Sequence, residues 1–101
     1  MSVDYSANFG IGYRLDLDEE FVEENWYPIK QLTKKRNIVF IEWGDTYENE
    51  NYYGVIIKDP AINDPTMFEF QIMNLDEFLE EKNMSQYISG EVGLIGGLHV
   101  N

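Results

Sequence analysis

Carboxylates are the most abundant chemically active side chains in this sequence. Nineteen Asp and Glu residues stand against seven Lys and Arg residues, giving a formal net charge of −12. Such groups can transfer protons, bind metal ions or attract basic protein surfaces. They concentrate in three segments, and these acids with two neighbouring tyrosines are our candidate partner-binding residues: Asp16, Asp18, Glu19, Glu20, Glu23 and Glu24; Asp45, Tyr47, Glu48, Glu50 and Tyr52; Asp76, Glu77, Glu80 and Glu81.

The spacing of these acids favours neither catalysis nor metal binding. No pair stands out as the two carboxylates of a glycosidase. The stretches DLDEE at 16–20 and DTYENEN at 45–51 are rich in oxygen ligands, but neither has the twelve-residue calcium loop with its central glycine and final glutamate. We therefore expect no catalytic residue, no metal site and no cofactor.

Nucleophiles and phosphate-binding loops are also poorly supported. The chain has no cysteine, and we expect its one histidine, His99, to be exposed and inert near the end of the chain. SGEVG at 89–93 does not match the nucleophile elbow G-x-S-x-G. The glycines of GIG at 10–12 and GLIGG at 93–97 lack the lysine and the strand-loop-helix context of a phosphate loop. These absences favour a protein that is not an enzyme.

The first element that must position the acids is a strand. Every odd position from 3 to 17 is apolar and every even position is not, which predicts a strand with the odd face buried. Fifteen extended residues would span about 50 Å, too long for a domain with a radius of gyration near 13 Å, so the strand must bend. We expect Gly10 and Gly12 to allow this without a bulge in the strand, because a bulge would invert the alternation.

Helices and a hairpin follow. Asp18 can cap a helix that Pro28 interrupts and that ends at Lys34, Lys35 and Arg36. Residues 38–58 read as a hairpin, whose tyrosines Tyr47, Tyr52 and Tyr53 we expect to be exposed anchors for a partner.

Residues 66–73 alternate like a further strand, with Phe68, Phe70 and Ile72 on one face. An acidic helix comes next, with Leu75, Phe78 and Leu79 facing inward. The last strand, over 91–101, has Val92, Leu94, Leu98 and Val100 on one face.

This order predicts one α+β domain over residues 1–101. We expect a mainly antiparallel sheet of four to five strands with two helical segments, and omission of one middle strand gives the order of ferredoxin-like folds. In that order the first and last strands are neighbours. No apolar run approaches 18 residues and no signal peptide is visible, so we expect a soluble, cytoplasmic protein.

Charge determines the expected partner. A strongly acidic surface repels nucleic acid and anionic membranes, and it attracts basic proteins. Rows of carboxylates can take the place of phosphates in the Lys and Arg grooves of nucleic-acid-binding proteins. We therefore expect a larger, basic partner that handles nucleic acid, and no direct contact with nucleic acid or membrane.

In its size, its acidity, its lack of cysteine and its richness in asparagine and tyrosine, the chain resembles the small acidic proteins that bacteriophages encode against host defence, such as anti-CRISPR and anti-restriction DNA mimics. The resemblance implies an inhibitor of a host factor, acting in the host cell cytoplasm. The alternative is a homo-oligomer, such as a homodimer, with a structural, assembly or small-ligand-sequestering role, built on the glycine-bearing strands.

Overall fold

A computed structural model describes residues 5–25 and 36–100 of the chain. Its elements are β1 (Tyr5–Leu15), α1 (19–25), β2 (Ile38–Asp45), a 3-10 turn (Thr46–Glu48), β3 (Glu50–Ile57), α2 (Pro65–Glu81), a second 3-10 turn (Ser85–Tyr87) and β4 (Ile88–Val100). The order β-α-β-β-α-β confirms the predicted α+β class and the 38–58 hairpin. The predicted break at Pro28 and the basic residues Lys34 and Lys35 lie outside the described residues.

The four strands form one sheet that closes on itself. Antiparallel ladders give the order β4-β1-β3-β2, so the terminal strands are neighbours, as predicted. The sheet closes where β2 meets β4 in parallel through two residue pairs, Gly44 with His99 and Asp45 with Val100. We call this short contact the seam. The structure is therefore a small barrel, and the seam is its shortest ladder.

One face of the sheet packs against the helices. Leu75, Phe78 and Leu79 of α2 are fully buried, which confirms the predicted inward face of this helix. The remaining buried members of this core come from α1, the sheet and the turn after α2: Leu15, Val22, Ile38, Phe40, Tyr53, Val55, Ile57 and Met84. The core holds α2 across the middle of the barrel.

The predicted strand over 66–73 is wrong, because these residues belong to α2. Asp64 caps this helix by accepting a hydrogen bond from the Met67 amide at 3.1 Å, and Pro65 occupies its first turn. Phe68 and Ile72 pack on the core at helical spacing, whereas Phe70, predicted on the same face, is 60% exposed. Phe70 is an exposed aromatic residue between Phe68 and Ile72, so the three apolar residues at every second position imitated strand alternation.

Glycines of β1 line the inside of the barrel. A Cβ added at Gly12 would lie 1.8 Å from the carbonyl oxygen of Val55, and one added at Gly10 would lie 2.4 Å from Ile56 Cδ1. Ile56, directly opposite Gly12, is buried. The even face of β1 is thus an inner face, and β1 can approach β3 only because it carries no side chain there.

The odd face of β1 is buried along only part of its length. Leu15 is buried and Tyr13 packs on the core, but Phe9 is 59% exposed, so the prediction of a wholly buried odd face is wrong. The β1–β3 ladder covers only Gly12 to Leu15, and the earlier residues of β1 pair with β4 alone among the described strands. Core residues therefore cover only the second half of this face.

The β1–β4 ladder contains one irregularity. Between the pairs Gly12–Gly93 and Arg14–Ser89, one residue of β1 lies opposite three residues of β4, so β4 carries two extra residues. Gly90 lies within this insertion with φ +84°, a conformation that glycine adopts readily. Since the extra residues are in β4, the alternation of β1 stays intact, as its sequence pattern predicts.

We expect Gly12→Ala to lower the free energy of unfolding by about 3 kcal/mol or more, because the new methyl group meets backbone that cannot move aside. Gly93→Ala is the matched control, since a Cβ at Gly93 meets nothing within 4 Å and should change stability by about 0.5 kcal/mol or less. Urea unfolding of both variants measures the difference. Equal stability of the two would contradict the close approach of β1 to β3.

Candidate functional site

The first turn of α1 presents acidic side chains to solvent. Asp18 caps the helix, accepting a hydrogen bond from the Phe21 amide at 2.7 Å. The Phe21 ring contacts Tyr87 at a centroid distance of 5.3 Å, which fixes the inward side of the helix. The opposite side carries four exposed glutamates, and these are Glu19, Glu20, Glu23 and Glu24.

The β2–β3 turn has its own cap. The Asp45 carboxylate accepts a hydrogen bond from the Tyr47 amide at 2.9 Å, and Asn49 closes the turn with φ +57°, a left-handed conformation that asparagine tolerates. Glu48 and Glu50 are exposed on either side of Asn49. The carboxylates of Asp45, Glu48 and Glu50 therefore lie in or beside a short turn that hydrogen bonds stabilise.

A side-chain hydrogen bond brings these two segments together. Asn51 Nδ2 donates to Glu19 Oε1 at 3.1 Å, although the two residues lie 32 positions apart. We call the joined region the acidic surface, and its nine carboxylates are Asp16, Asp18, Glu19, Glu20, Glu23, Glu24, Asp45, Glu48 and Glu50. Among the described residues, no Lys, Arg or His side chain forms an ion pair with any of them.

The third predicted acidic segment has other partners. Asp76 accepts a hydrogen bond from Tyr13, and burial, this hydrogen bond and the negative charge of Asp76 together raise the pKa of Tyr13 to about 12. Glu81 pairs with Arg36 at 2.7 Å. Within the described chain, no hydrogen bond or ion pair joins Asp76, Glu77, Glu80 or Glu81 to the acidic surface, whereas such a bond joins the other two predicted segments.

The predicted tyrosine anchors divide into two kinds. Tyr47 is 53% exposed, and Tyr52 is 36% exposed with its ring stacked on Trp43 at 6.0 Å. Arg14 Cζ lies 4.8 Å from the centroid of the Tyr52 ring. Tyr53 is only 4% exposed, so its prediction as an exposed anchor is wrong: successive strand residues face opposite sides, and Tyr53 faces the helix-packed core.

A cavity lies where α1 meets the β2–β3 turn. It has a volume of about 260 Å³ and is lined by Leu17, Glu19, Asn49, Asn51 and Tyr53. Burial, followed by the charges of Glu42, Glu19 and Glu23, raises the pKa of Tyr53. The sequence analysis did not select Asn49 or Asn51, and no local pattern could have done so, because the cavity exists only once distant segments meet.

His99 is buried at the seam, so the prediction of an exposed histidine is wrong. Near its end, β4 pairs with both β1 and β2, which encloses the residue. Its Nε2 atom lies 3.3 Å from Glu42 Oε1 in a geometry that makes no hydrogen bond. Within the described residues, no group of three or more metal-binding side chains surrounds this or any other position.

A second exposed surface is apolar. Phe9, Leu94 and Leu98 are 59%, 77% and 53% exposed, and the β1–β4 register puts them on one face of the sheet. We call these three residues the apolar strip. The sequence pattern grouped Leu94 and Leu98 correctly on one face, but it gave no indication that the face is uncovered.

Comparison with known protein families, with characterised proteins and with solved structures finds no match. In the described part of the chain, no helix has the length and apolar character needed to cross a membrane. The acidic surface, the cavity and the apolar strip are therefore the features on which a function can be argued.

We expect Glu23→Gln to raise the free energy of unfolding by a few tenths of a kcal/mol at low salt, because it relieves repulsion within the acidic surface. The gain should shrink as salt screens the charges. Glu81→Gln removes the same charge but breaks the pair with Arg36, so it should lower stability by about 0.5 kcal/mol. Thermal unfolding at low and high salt tests both. Destabilisation by Glu23→Gln would contradict mutual repulsion there.

Proposed function

We propose that this protein is not an enzyme and that it binds and inhibits a larger, basic protein that handles nucleic acid. The observation that supports this most strongly is the Asn51–Glu19 hydrogen bond, which joins two acidic segments into one surface. Carboxylates that have no ion-pair partner in residues 5–25 and 36–100 repel one another, and binding to a basic partner offsets that cost.

The acidic surface can compete with nucleic acid for a basic groove. A groove lined with Lys and Arg gains affinity for DNA by neutralising phosphates, and carboxylates at similar spacing collect the same electrostatic term. The partner is then inhibited because its nucleic-acid-binding groove is occupied, and no chemical step is needed. Such a protein would act in the cytoplasm of a host cell, as the resemblance to phage counter-defence proteins implies.

Tyr47 and Tyr52 provide contacts beyond charge. Both are exposed next to the acidic carboxylates, and aromatic side chains contribute strongly to binding when a partner excludes water from them. Trp43 stacks on Tyr52 and holds its ring in place, so little conformational entropy is lost on binding. The negative charges would attract the partner, and the tyrosines would stabilise the complex.

The test is displacement of DNA. A basic protein captured from bacterial lysate on the immobilised chain is purified, bound to labelled duplex DNA and titrated with this protein while fluorescence anisotropy is measured. We expect displacement that weakens steeply between about 50 and 200 mM salt. Displacement that does not depend on salt, or no displacement at all, would contradict the proposal.

Paired substitutions separate the acidic surface from overall acidity. Glu23→Gln with Glu48→Gln should weaken displacement by about ten-fold. Glu77→Gln with Glu80→Gln changes the net charge equally on α2, away from the acidic surface, and should stay within about two-fold of the unmodified protein. Equal losses of DNA displacement in the two double variants would show that displacement depends on the net charge of the protein and not on the position of the charges.

A second candidate function is self-association through the apolar strip. At about 200 Å² for a fully exposed large side chain, its three residues present on the order of 400 Å² of apolar surface, about half of what one partner buries in a stable interface. Beside it, residues 5–11 of β1 have an edge that no described strand pairs. An apolar face with an open strand edge is self-complementary about a two-fold axis, so a second copy of this chain fits it.

Sedimentation velocity tests this second function. If it is correct, the protein is a dimer at micromolar concentration and Leu94→Lys makes it a monomer, because the lysine would be buried without a partner. Phe70→Lys, at an apolar position on α2 that is 60% exposed, is the control and should leave the dimer intact. A monomeric wild type would eliminate this candidate and leave the acidic surface unaffected.

A further inference from the structure

The cavity between α1 and the β2–β3 turn has features that the acidic surface as a whole does not share. Its volume of about 260 Å³ equals the space of eight or nine water molecules, taking about 30 Å³ for each. Its lining includes the carboxylate of Glu19 together with Asn49 and Asn51 of the β2–β3 turn region. It is large enough for the head of one side chain and too small for a segment of chain.

Tyr53 gives this cavity a polar group that is open to it, on a side chain that is otherwise buried. The residue is 4% exposed, and its ring stacks on Phe40 at 6.1 Å within the core. Since Tyr53 also lines the cavity, the hydroxyl end of the side chain is the part that reaches it. No hydrogen bond of this hydroxyl is found within the described chain, and a hydroxyl that faces an open cavity can bind water or a ligand.

The polar groups around the cavity mainly accept hydrogen bonds. Asn51 donates its amide to Glu19 Oε1, which holds that carboxylate in place and leaves Oε2 without a described partner. The Tyr53 hydroxyl can accept as well as donate. The charges of Glu42, Glu19 and Glu23 act at the same hydroxyl, so the potential in the cavity is negative. A ligand here should be a cation with several donors.

We propose that this cavity binds the guanidinium group of an arginine side chain presented by the basic partner. The inference rests on the proposed function and makes it more specific, since it names one cavity and one residue type. A guanidinium has five donors in a planar fork, which can reach Glu19 and the Tyr53 hydroxyl together. An ammonium group is a compact, strongly hydrated charge and would satisfy fewer of these acceptors.

Other ligands fit less well. Anions are repelled by the surrounding carboxylates. Metal ions need several charged ligands, and within the described residues no group of three or more such side chains occurs. Nucleobases would bring phosphates into a negative potential. A planar organic cation is therefore the ligand class that the cavity favours.

The experiment is a titration of the full-length protein followed by its backbone amide NMR signals. The probes are N-acetyl-arginine amide, N-acetyl-lysine amide and N-acetyl-citrulline amide, which matches arginine in shape but is neutral. We expect the arginine probe to shift the signals of Glu19, Asn49 and Asn51. The lysine probe should bind about three-fold more weakly or worse, and the citrulline probe should cause no saturable shift.

Two substitutions and one control locate the binding. Glu19→Gln and Tyr53→Phe should each weaken binding of the arginine probe by about five-fold, and Tyr53→Phe keeps the ring that packs on Phe40. Glu20→Gln removes an exposed charge next to Glu19 but outside the cavity lining. The affinity of this variant for the arginine probe should therefore stay within about two-fold of that of the unmodified protein. An unchanged amide spectrum confirms that each variant is folded.

The outcomes separate this inference from the proposed function. Equal binding of the arginine and lysine probes, or equal losses for Glu19→Gln and Glu20→Gln, would overturn the cavity assignment while salt-dependent displacement of DNA still stood. Tighter binding of free arginine than of the capped amide would also overturn it, because a free small molecule would then be the ligand. Selective binding of the capped amide without DNA displacement would support the cavity and contradict only the proposed function.

Discussion

The close approach of β1 to β3 is the constraint on which the rest of this structure depends. Four strands enclose very little space, and the barrel can close only because Gly10 and Gly12 put no side chain between the strands. Ile56 lies against Gly10 and Gly12, and Trp43 and Ile95 lie against the glycines of the other strands. With the inside filled in this way, the outer face is left for α2, whose residues Leu75 and Phe78 form the main core.

The acidic surface is a product of that closure. Closing the sheet fixes both ends of β2, and its second end leads directly into the turn that Asp45 caps. The ladder between β2 and β3 then places Asn51 where it can reach Glu19. Carboxylates that are distant in sequence are thus held near one another by backbone pairing, and their mutual repulsion is overcome by contacts elsewhere in the fold.

Local patterns in the sequence predict most of this architecture, and the failures have physical causes. The strand at β1, the cap at Asp18 and the inward face of α2 are local signals, and the structure confirms them. The burial predicted for the odd face of β1 holds only in the second half of the strand, because Phe9 is exposed. Residues 66–73 fit both a strand pattern and a helix pattern. The N-terminal cap at Asp64, followed by Pro65, favours the helix. His99, Tyr53 and the cavity depend on pairing between distant segments, which no short window of sequence encodes.

The pairing of Tyr5 with Val100 has a kinetic consequence. Joining strands from opposite ends of the chain carries a large loop-closure entropy, so this ladder forms slowly compared with the local β2–β3 hairpin. The seam beside Asp45 needs the same last strand. During synthesis the hairpin and its acidic turn therefore exist before the barrel does, and the acidic surface reaches its final geometry only after β4 has left the ribosome and docked.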